Sequence, residues 1–359
     1  MINVTKSYLP PLDEYVKYLE KIWDSGWLTN HGVMVQDLET KLKEYLGVPY
    51  LHYVSNGTIA IQIALRALEI RGEVITTPFS YVATTNSILW EHCQPIFVDI
   101  DAHTFCIDPQ KIEAAVTERT QAILAVHVYG YPSDVETIEA VAKKYNLKVI
   151  YDAAHAFGCK LNGSSIMNHG DLSTLSFHAT KLFHSVEGGA IVAHTSQMDD
   201  LLNKMKSFGH LGDEYYTLGI NGKNSEFHAA MGLCVLPNVP DIIQRRRSIC
   251  ETYDVELSGQ GIIFSNIPKS YQYNYAYYPV VFQNEMQLLA VKQALNSNQI
   301  SPRRYFYPSL NTLPFLRTRQ PCPVSEDVSS RVLCLPLYDS LEKHDVLRIS
   351  ALIKEVLKA

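Results

Sequence analysis

Short apolar runs, each the length of a β-strand, recur through the first half of the chain. They are Glu73–Thr76, Pro95–Asp99, Ala122–Val128, Leu147–Asp152, Leu172–Phe177 and Ala190–Ala193. Helical segments separate several of the runs, among them the amphipathic Lys111–Thr117 and Asp134–Tyr145, and the apolar helical segment Thr58–Ile70 precedes the first run. Runs that are apolar on both faces and alternate with helices are typical of a parallel sheet with helices on both sides. The sequence therefore predicts an α/β fold with a mostly parallel central sheet.

The length and the later texture of the chain indicate two domains. The chain has 359 residues, whereas single hydrophobic cores stop growing at roughly 250–300 residues. After Pro237 a basic helical stretch is followed by the strand-like YAYYPVVF and VLCLPLY and by helical segments at Met286–Asn296 and His344–Lys358. We therefore expect a large domain over residues 1–237 and a smaller α+β domain over residues 238–359.

The composition and the cysteine pattern exclude several classes of protein. A net charge of −6 gives no electrostatic footprint for nucleic acid or membrane headgroups. The seven cysteines are scattered and form no CxxC pair, so neither a disulfide framework nor a structural zinc is expected. His178 and His184 belong to no metal-binding motif. The chain shows no signal peptide and no apolar stretch of spanning length, so we expect a cytoplasmic enzyme.

Residues that follow the apolar runs are the first candidates for chemistry, because open α/β sheets bind ligands at the carboxyl ends of their strands. Gly57 and Thr58 open a helix after a Ser-Asn turn. Glycine allows a close approach, and a helix N-terminus offers N–H groups to a phosphate, although the turn could equally be a simple helix cap. Tyr81 follows a later run and could stack on a flat ring or belong to the core.

Asp152 and Lys181 carry the strongest chemical indication. Asp152 ends the run LKVIYD, and it either caps a following helix or pairs with a buried cation such as a protonated pyridine nitrogen. His155 lies close enough in sequence to reach the same ligand. Lys181, in SFHATKLFHS, is either a surface lysine or one that loses its proton in apolar surroundings and becomes a nucleophile. Together these residues predict a site for an anionic, flat, nitrogen-containing cofactor. The absence of a dinucleotide-binding glycine motif disfavours an oxidoreductase.

The order of these motifs resembles the DegT/DnrJ/EryC1/StrS family of sugar aminotransferases, a branch of the fold-type I pyridoxal-phosphate enzymes. The resemblance covers nearly the whole chain, through SNGTIAI, TPFSYVATTNSI, IYDAAHAFG, SFHATKLFHSVEGGA, GINGKNSEFHAAMG and RRYFYPSL. It implies the fold-type I architecture, pyridoxal 5′-phosphate as cofactor, glutamate as amino donor and a nucleotide-linked keto sugar as acceptor. It also implies a homodimer with shared active sites.

The same resemblance implies individual roles around the cofactor ring. Lys181 would form the Schiff base with pyridoxal phosphate, and Asp152 would pair with the pyridine nitrogen. Tyr81 would stack on the ring, and His155 would lie near its phenolic oxygen. Because Lys181 is intact, the resemblance implies transamination rather than the dehydration that relatives with histidine at this position catalyse.

Further residues are implied for the phosphate. Gly57, Thr58 and Ser176 would hold it, and Asn221 would reach the phosphate of the neighbouring subunit. Where relatives often have Asn-x-Arg-Met, this chain has NGKN, so a bidentate arginine is replaced by the point charge of Lys223.

The acceptor position is implied by SFHATK together with VEGGA, which resembles the branch that aminates C4 of a nucleotide-linked 4-keto-6-deoxyhexose, with TDP as the expected nucleotide. The branch acting at C3 usually carries a GDxGA-like turn. Arg304, Tyr305 and Tyr307, in RRYFYP, suit a diphosphate and sugar hydroxyls, and a solvated charged edge is the alternative. A C3 aminotransferase and a non-catalytic ligand-sensing protein on the same fold are the alternative functions.

Overall fold

A seven-stranded sheet lies at the centre of the computed structural model, which describes residues 1–262, 267–317 and 319–358. The strands in these ranges are Ile2–Asn3 (β1), Tyr50–Val54 (β2), Glu73–Thr76 (β3), Gln94–Phe97 (β4), Thr120–Val126 (β5), Lys148–Asp152 (β6), Lys160–Leu161 (β7), Ser164–Ser165 (β8), Leu172–Ser176 (β9), Gly189–Ala193 (β10), His210–Leu211 (β11), Glu214–Tyr215 (β12), Tyr271–Gln272 (β13), Pro279–Val281 (β14), Ile300–Ser301 (β15) and Val332–Cys334 (β16). The central sheet has the order β2-β10-β9-β6-β5-β3-β4. Only β10 within it runs antiparallel to its neighbours, so the predicted mostly parallel α/β fold is confirmed.

Helices connect these strands and cover the sheet. The helices in the described ranges are Leu12–Ser25 (α1), Val33–Leu46 (α2), Gly57–Ala67 (α3), Ala83–Trp90 (α4), Pro109–Ile112 (α5), Val135–Tyr145 (α6), Ser196–Met205 (α7), Glu226–Val235 (α8), Val239–Leu257 (α9), Glu285–Ser297 (α10), Pro323–Arg331 (α11) and Lys343–Lys358 (α12). Side-chain caps fix where several begin. The Asp134 carboxylate, for example, accepts the Thr137 N–H at the start of α6.

Both faces of the central sheet are buried, which explains why its strands are apolar without alternation. On β3, Val74 packs into one hydrophobic cluster and Ile75 into another on the opposite face. On β5 the same division holds for Leu124 and Ile123. Successive side chains of a strand point to opposite faces, so a helical layer on each side requires apolar residues at every position.

Two local features differ from the sequence prediction. The sequence does not predict β2, because Tyr and His interrupt the apolar run in YLHYV; pairing with β10 nevertheless buries both His52 and Tyr53. The amphipathic helix predicted around residues 111–117 is wrong in extent. There, α5 ends at Ile112, one turn of 3₁₀-helix covers Glu113–Ala115, and Val116 is extended.

The C-terminal part of the chain has a hydrophobic core of its own. β14 and β16 pair antiparallel, and α9, α10 and α12 surround a cluster that includes Val280, Leu288 and Ile349. The predicted boundary after residue 237 falls in the single turn between α8 and α9, and the two-domain division remains a prediction. β1 pairs with β15, so the first residues join the C-terminal part. Within the described ranges, no helix is both long and apolar enough to cross a membrane.

Candidate active site

A cavity of about 630 Å³ opens at the carboxyl ends of β5, β6 and β9, a size typical of cofactor and ligand pockets. The predicted cofactor residues that line it are Gly57, Thr58, Tyr81, Asp152, His155, Ser176 and Lys181. They come from four separate stretches of sequence, and the parallel strands bring them to one edge of the sheet. The edge of the sheet chosen from the sequence is therefore the edge at which the cavity lies.

One end of the cavity is formed by the start of α3. The first N–H groups of a helix have no partner within it, and the Asn56 side chain caps the one at Ile59 at 2.9 Å. The two amides before it belong to Gly57 and Thr58, which line the cavity. A Cβ on Gly57 would lie 2.8 Å from the Cβ of Ser176, so only glycine fits between helix and strand. This arrangement suits a phosphate group.

Asp152 is a buried carboxylate on the floor of the cavity, with 6% of its surface exposed. It accepts hydrogen bonds from the Thr84 hydroxyl at 2.8 Å and the Ala154 N–H at 3.1 Å. Burial raises the pKa of Asp152, and these two hydrogen bonds and the nearby Lys181 oppose that rise. The residues that follow Asp152 form turns, so the alternative that it caps a helix is wrong.

Lys181 lies in the loop between β9 and β10. Its N–H donates to the His178 carbonyl at 2.8 Å, and the side chains of Leu182 and Phe183 that follow are buried. Burial lowers the pKa of Lys181, and the charge of Asp152 partly offsets that effect. A lysine amine with a lowered pKa is more often neutral and therefore nucleophilic. The structure thus favours the nucleophile over a solvated surface lysine.

The ring of His155 has a defined tautomer. The Tyr129 N–H donates to its Nδ1 at 3.2 Å, so the proton of the neutral imidazole lies on Nε2. Burial lowers the pKa of His155 well below its ordinary value, and the neighbouring Lys181 adds to the effect. The ring stacks on Phe306 with centroids 5.6 Å apart. His155 is therefore a neutral, fixed hydrogen-bond donor in the lining of the cavity.

Sequence reasoning missed Tyr277, which lies in the segment before β14. Its hydroxyl is 3.4 Å from Nζ of Lys181, and its ring lines the cavity. The segment is held by polar contacts: Asn274 donates to the His155 carbonyl at 2.9 Å, and the Tyr273 hydroxyl donates to the Tyr277 carbonyl at 3.1 Å. The aromatic run YNYAYY reads as a strand in sequence, and nothing in its spacing singles out one tyrosine.

Three predicted site residues do not line the cavity. Asn221 is exposed and pairs through its backbone with Ser207, and Arg304 and Tyr307 contact each other away from the lining residues. Tyr305 does line the cavity, and Arg303 lines it in place of Arg304. The structure thus brings Arg303 and Tyr305 of the RRYFYP stretch to the cavity, and their role in binding substrate stays a prediction.

The residues fit pyridoxal phosphate as a cofactor. The cavity offers a helix N-terminus for the phosphate and a buried carboxylate, Asp152, for a protonated ring nitrogen. Lys181 provides the amine, and Tyr81 is an exposed aromatic at the lining. The buried hydroxyl of Thr174 also lines the cavity and has no partner in the described part of the chain. Among the described residues, no group of three or more His, Cys, Asp or Glu side chains could hold a metal ion.

Comparisons with known proteins agree with this geometry. The sequence pattern of the DegT/DnrJ/EryC1/StrS aminotransferase family matches residues 12–354. A dTDP-4-amino-4,6-dideoxy-D-glucose transaminase of Shigella dysenteriae is 42% identical, over 99% of both chains. A UDP-N-acetyl-3-dehydro-alpha-D-glucosamine 3-aminotransferase of Acidithiobacillus ferrooxidans is 32% identical, over 99% of this chain and 97% of the relative. The crystal structure of DesI with its TDP-sugar product superposes with a TM-score of 0.94 at 30% identity, covering 99% of this chain and 93% of that one.

Proposed function

The chain belongs to the DegT/DnrJ/EryC1/StrS aminotransferase family, and from that premise we propose its reaction and substrates. It is a pyridoxal-phosphate-dependent aminotransferase that transfers an amino group from glutamate to C4 of a TDP-linked 4-keto-6-deoxyhexose. The product would be dTDP-4-amino-4,6-dideoxyglucose. The observation that carries the proposal is that Lys181 and Asp152 line one cavity, together with the N-terminus of α3.

The cofactor would be held by the groups that surround the cavity. When bound, pyridoxal phosphate supplies an electron sink and carries the amino group from the donor to the acceptor. Gly57, Thr58 and Ser176 would hold its phosphate. Asp152 would keep a proton on the ring nitrogen, and the Thr84 hydroxyl and the Ala154 N–H would keep the carboxylate ionised and oriented.

Lys181 would act as the acid and base of the reaction. Its Nζ, with a lowered pKa, can take the proton from Cα of the amino donor and return a proton to C4 of the sugar. The Tyr277 hydroxyl, 3.4 Å from Nζ, holds the amine in place when it is free. Nε2 of His155 would provide a neutral hydrogen-bond donor, and the His155 ring meets the Tyr277 ring edge-to-face with centroids 4.9 Å apart.

The C4 position is supported by the relatives and by the loop after β9. The relative named for a 4-amino sugar is 42% identical, and the one named as a 3-aminotransferase is 32% identical. The intact Lys181 and Asp152 leave no reason to prefer a non-catalytic ligand-sensing protein. The amino donor is assigned to glutamate by family likeness alone.

We infer that two chains form a dimer with shared active sites. Asn221 is exposed, and the segment around it is fixed: the Gly222 N–H donates to the Lys206 carbonyl at 3.0 Å, and the Gly222 carbonyl accepts the Ser55 N–H at 2.8 Å. Large apolar side chains are exposed on the same stretch: Phe208, Leu211, Tyr215, Tyr216, Leu218 and Ile220. A rigid loop among exposed apolar residues suits contact with a second copy. Sedimentation that shows an active monomer would refute the dimer.

The reducing cytoplasm is the compartment that we propose. All seven cysteines are buried and free, which suits a compartment in which thiols stay reduced. A nucleotide-linked substrate carries two phosphate charges and does not cross a membrane unaided. Cell fractionation would test this: the protein should be found in the fraction released without detergent.

One experiment tests the proposed reaction. The purified protein is incubated with pyridoxal phosphate, glutamate and either a TDP-linked 4-keto-6-deoxyhexose or its 3-keto isomer, and the products are read by mass spectrometry. We expect a glutamate-dependent amino sugar from the 4-keto compound. Product from the 3-keto isomer alone would overturn the C4 assignment, and product from neither would overturn the substrate class.

A further inference from the structure

The two neighbouring arginines of RRYFYP have different surroundings. Arg304 is engaged within the fold: its guanidinium donates to the Glu285 carboxylate and to the Ser330 carbonyl, both at 2.7 Å, and lies 3.5 Å from the centroid of the Tyr307 ring. Only 12% of its side chain is exposed. Arg304 therefore joins α10 to the end of α11 and has little capacity left for a ligand.

Arg303 has a fixed backbone and a guanidinium without an acidic partner. Its N–H and its carbonyl both pair with the backbone of Cys334, at 3.2 and 2.8 Å. The guanidinium lies 5.0 Å from the centroid of the Tyr305 ring, and the residue lines the cavity. Within the described residues, no carboxylate forms an ion pair with it. The structure thus presents a stacked, oriented cation to the cavity.

A chain of aromatic rings connects Arg303 to the reacting amine. The Tyr277 hydroxyl is 3.4 Å from Nζ of Lys181, and the Tyr277 and Tyr305 rings meet edge-to-face with centroids 5.9 Å apart. Tyr305 in turn lies under the Arg303 guanidinium. Arg303 is therefore separated from the amine by two rings, at the distance of a remote substrate group rather than of the atoms that react.

The other ionisable groups of the cavity do not replace Arg303 as an anion-binding group. Asp152 and Glu187 are acids, and Nε2 of His178 lies 3.6 Å from the Glu187 carboxylate. Burial lowers the pKa of both Lys181 and His155, which disfavours the charged forms of these two side chains. An arginine, by contrast, stays charged and offers a planar fork of N–H donors that matches carboxylate and phosphate oxygens.

We propose that Arg303 is the anion-binding residue of the cavity and holds the remote oxyanion of each substrate. That oxyanion is the diphosphate of the sugar nucleotide or the side-chain carboxylate of the amino donor. The proposal rests on the proposed function, in which both substrates are anionic and visit the same cavity in turn. Arg303, two rings away from Lys181, can bind both substrates in turn, because neither substrate is present while the other reacts.

Binding of two non-reacting probes to the holoenzyme tests this, by calorimetry. The probes are thymidine diphosphate, for the diphosphate, and glutarate, a dicarboxylate without an amino group, for the donor. Arg303→Gln should weaken binding of at least one probe by about 10- to 100-fold, the size of a lost charge-assisted hydrogen bond pair. Arg303→Lys, which keeps the charge but not the fork, should lie between Gln and wild type.

The two probes distinguish the sources of the anion. An effect on thymidine diphosphate alone assigns Arg303 to the sugar nucleotide, an effect on glutarate alone assigns it to the donor, and an effect on both supports the shared role. Arg247→Gln, in an exposed pair with Glu251 outside the cavity, is the matched control and should change neither.

Unchanged binding of both probes in Arg303→Gln, or no binding of either probe to the wild type, overturns the proposal. The melting temperature and the visible absorption of the bound cofactor should be unchanged in both Arg303 variants, since the side chain is exposed and bonds no other side chain in the described ranges. Probe binding needs no turnover. A failure of the proposed reaction, seen as no amino sugar from either keto isomer, is therefore distinguishable from a failure of this assignment.

Discussion

Two sides of the cavity are built in different ways. The floor consists of Gly57, Asp152 and Lys181, which follow or flank strands of the central sheet. The wall consists of Tyr277 and Arg303, which come from the C-terminal part. Backbone pairing with Cys334 places Arg303, and the hydrogen bond from Asn274 to the His155 carbonyl holds the segment of Tyr277. The floor carries the groups that exchange protons and bonds, whereas the wall carries groups that orient them. Substitutions of the ionisable floor residues should therefore lower turnover far more than substitutions in the wall, which should only slow the reaction moderately or weaken binding.

The largest effect is expected at the centre of the floor. Lys181→Ala removes both the nucleophile and the group that moves the proton, so turnover should fall by at least about 10⁴-fold. The visible absorption of lysine-bound cofactor should also be lost. Lys143→Ala, on the exposed face of α6, is the control and should behave as wild type. Near-normal turnover in purified Lys181→Ala would mean that the floor does not carry the chemistry.

The second-largest effect on turnover is expected at Asp152, the carboxylate of the floor. Asp152→Asn keeps the shape and can still accept the Thr84 hydroxyl, but a neutral amide cannot stabilise a protonated ring nitrogen. We expect kcat to fall by about 10²-fold with the cofactor still bound, measured by steady-state kinetics and by absorbance. Asp37→Asn, in an exposed pair with Lys41, provides the control. An unchanged kcat would reduce Asp152 to a structural role.

The same contrast explains what the sequence could predict. Asp152 stands out because a charged residue at the end of an apolar run is costly to bury without a purpose. Lys181 stands out because it lies among apolar residues, where a lysine tends to lose its proton. Tyr277 does not stand out, because one tyrosine in YNYAYY looks like any other until the Asn274 amide and the Tyr273 hydroxyl fix the segment. The fold class followed from the alternation of strands and helices.

The arginine pair shows the same limit more sharply. Neighbouring residues in RRYFYP have the same chemistry, so the sequence cannot tell which side chain is used within the fold. The tertiary structure distinguishes the two arginines. Arg304 forms an ion pair with Glu285 on α10, whereas the backbone pairing with Cys334 places Arg303 at the cavity. Extended backbone alternates its side chains between two sides, so a one-residue difference changes what each arginine meets.

A smaller effect is expected in the wall. Tyr277→Phe removes only the hydroxyl that lies 3.4 Å from Nζ of Lys181. A single neutral hydrogen bond of this kind is worth about 0.5–1.5 kcal/mol, so kcat should fall by about 3- to 10-fold while the KM values change little. Tyr275→Phe, two residues earlier and outside the lining of the cavity, should leave both parameters unchanged. A loss as large as that in Asp152→Asn would place Tyr277 with the floor rather than the wall.

The smallest effect on turnover is expected behind the floor, where Glu39 on α2 pairs with the buried Lys206 at 2.7 Å. Glu39 also accepts the Tyr53 N–H of β2, and the Lys206 carbonyl accepts the Gly222 N–H, so the pair ties together the elements beneath the cavity. Burial alone would raise the pKa of Glu39, but the charge of Lys206 and the hydrogen bond to His31 outweigh it and lower the pKa to about 2.

That pKa makes a prediction about stability against pH. A carboxyl whose pKa is lower in the folded than in the unfolded chain stabilises the fold above its unfolded value of 4.5, and the contribution is lost as the pH falls towards 2. The shift in the pKa of Glu39 corresponds to a contribution of about 3 kcal/mol to the free energy of unfolding. The free energy of unfolding of the wild type, measured with urea, should therefore fall between about pH 4.5 and 2.

The double variant Glu39→Gln/Lys206→Met leaves no unpaired buried charge, so its free energy of unfolding should lack the part of this pH dependence that comes from Glu39. Its kcat at neutral pH should stay within about twofold of wild type, because neither residue lines the cavity. An equal pH dependence of the free energy of unfolding in the two proteins would show that the charges of this pair do not stabilise the fold.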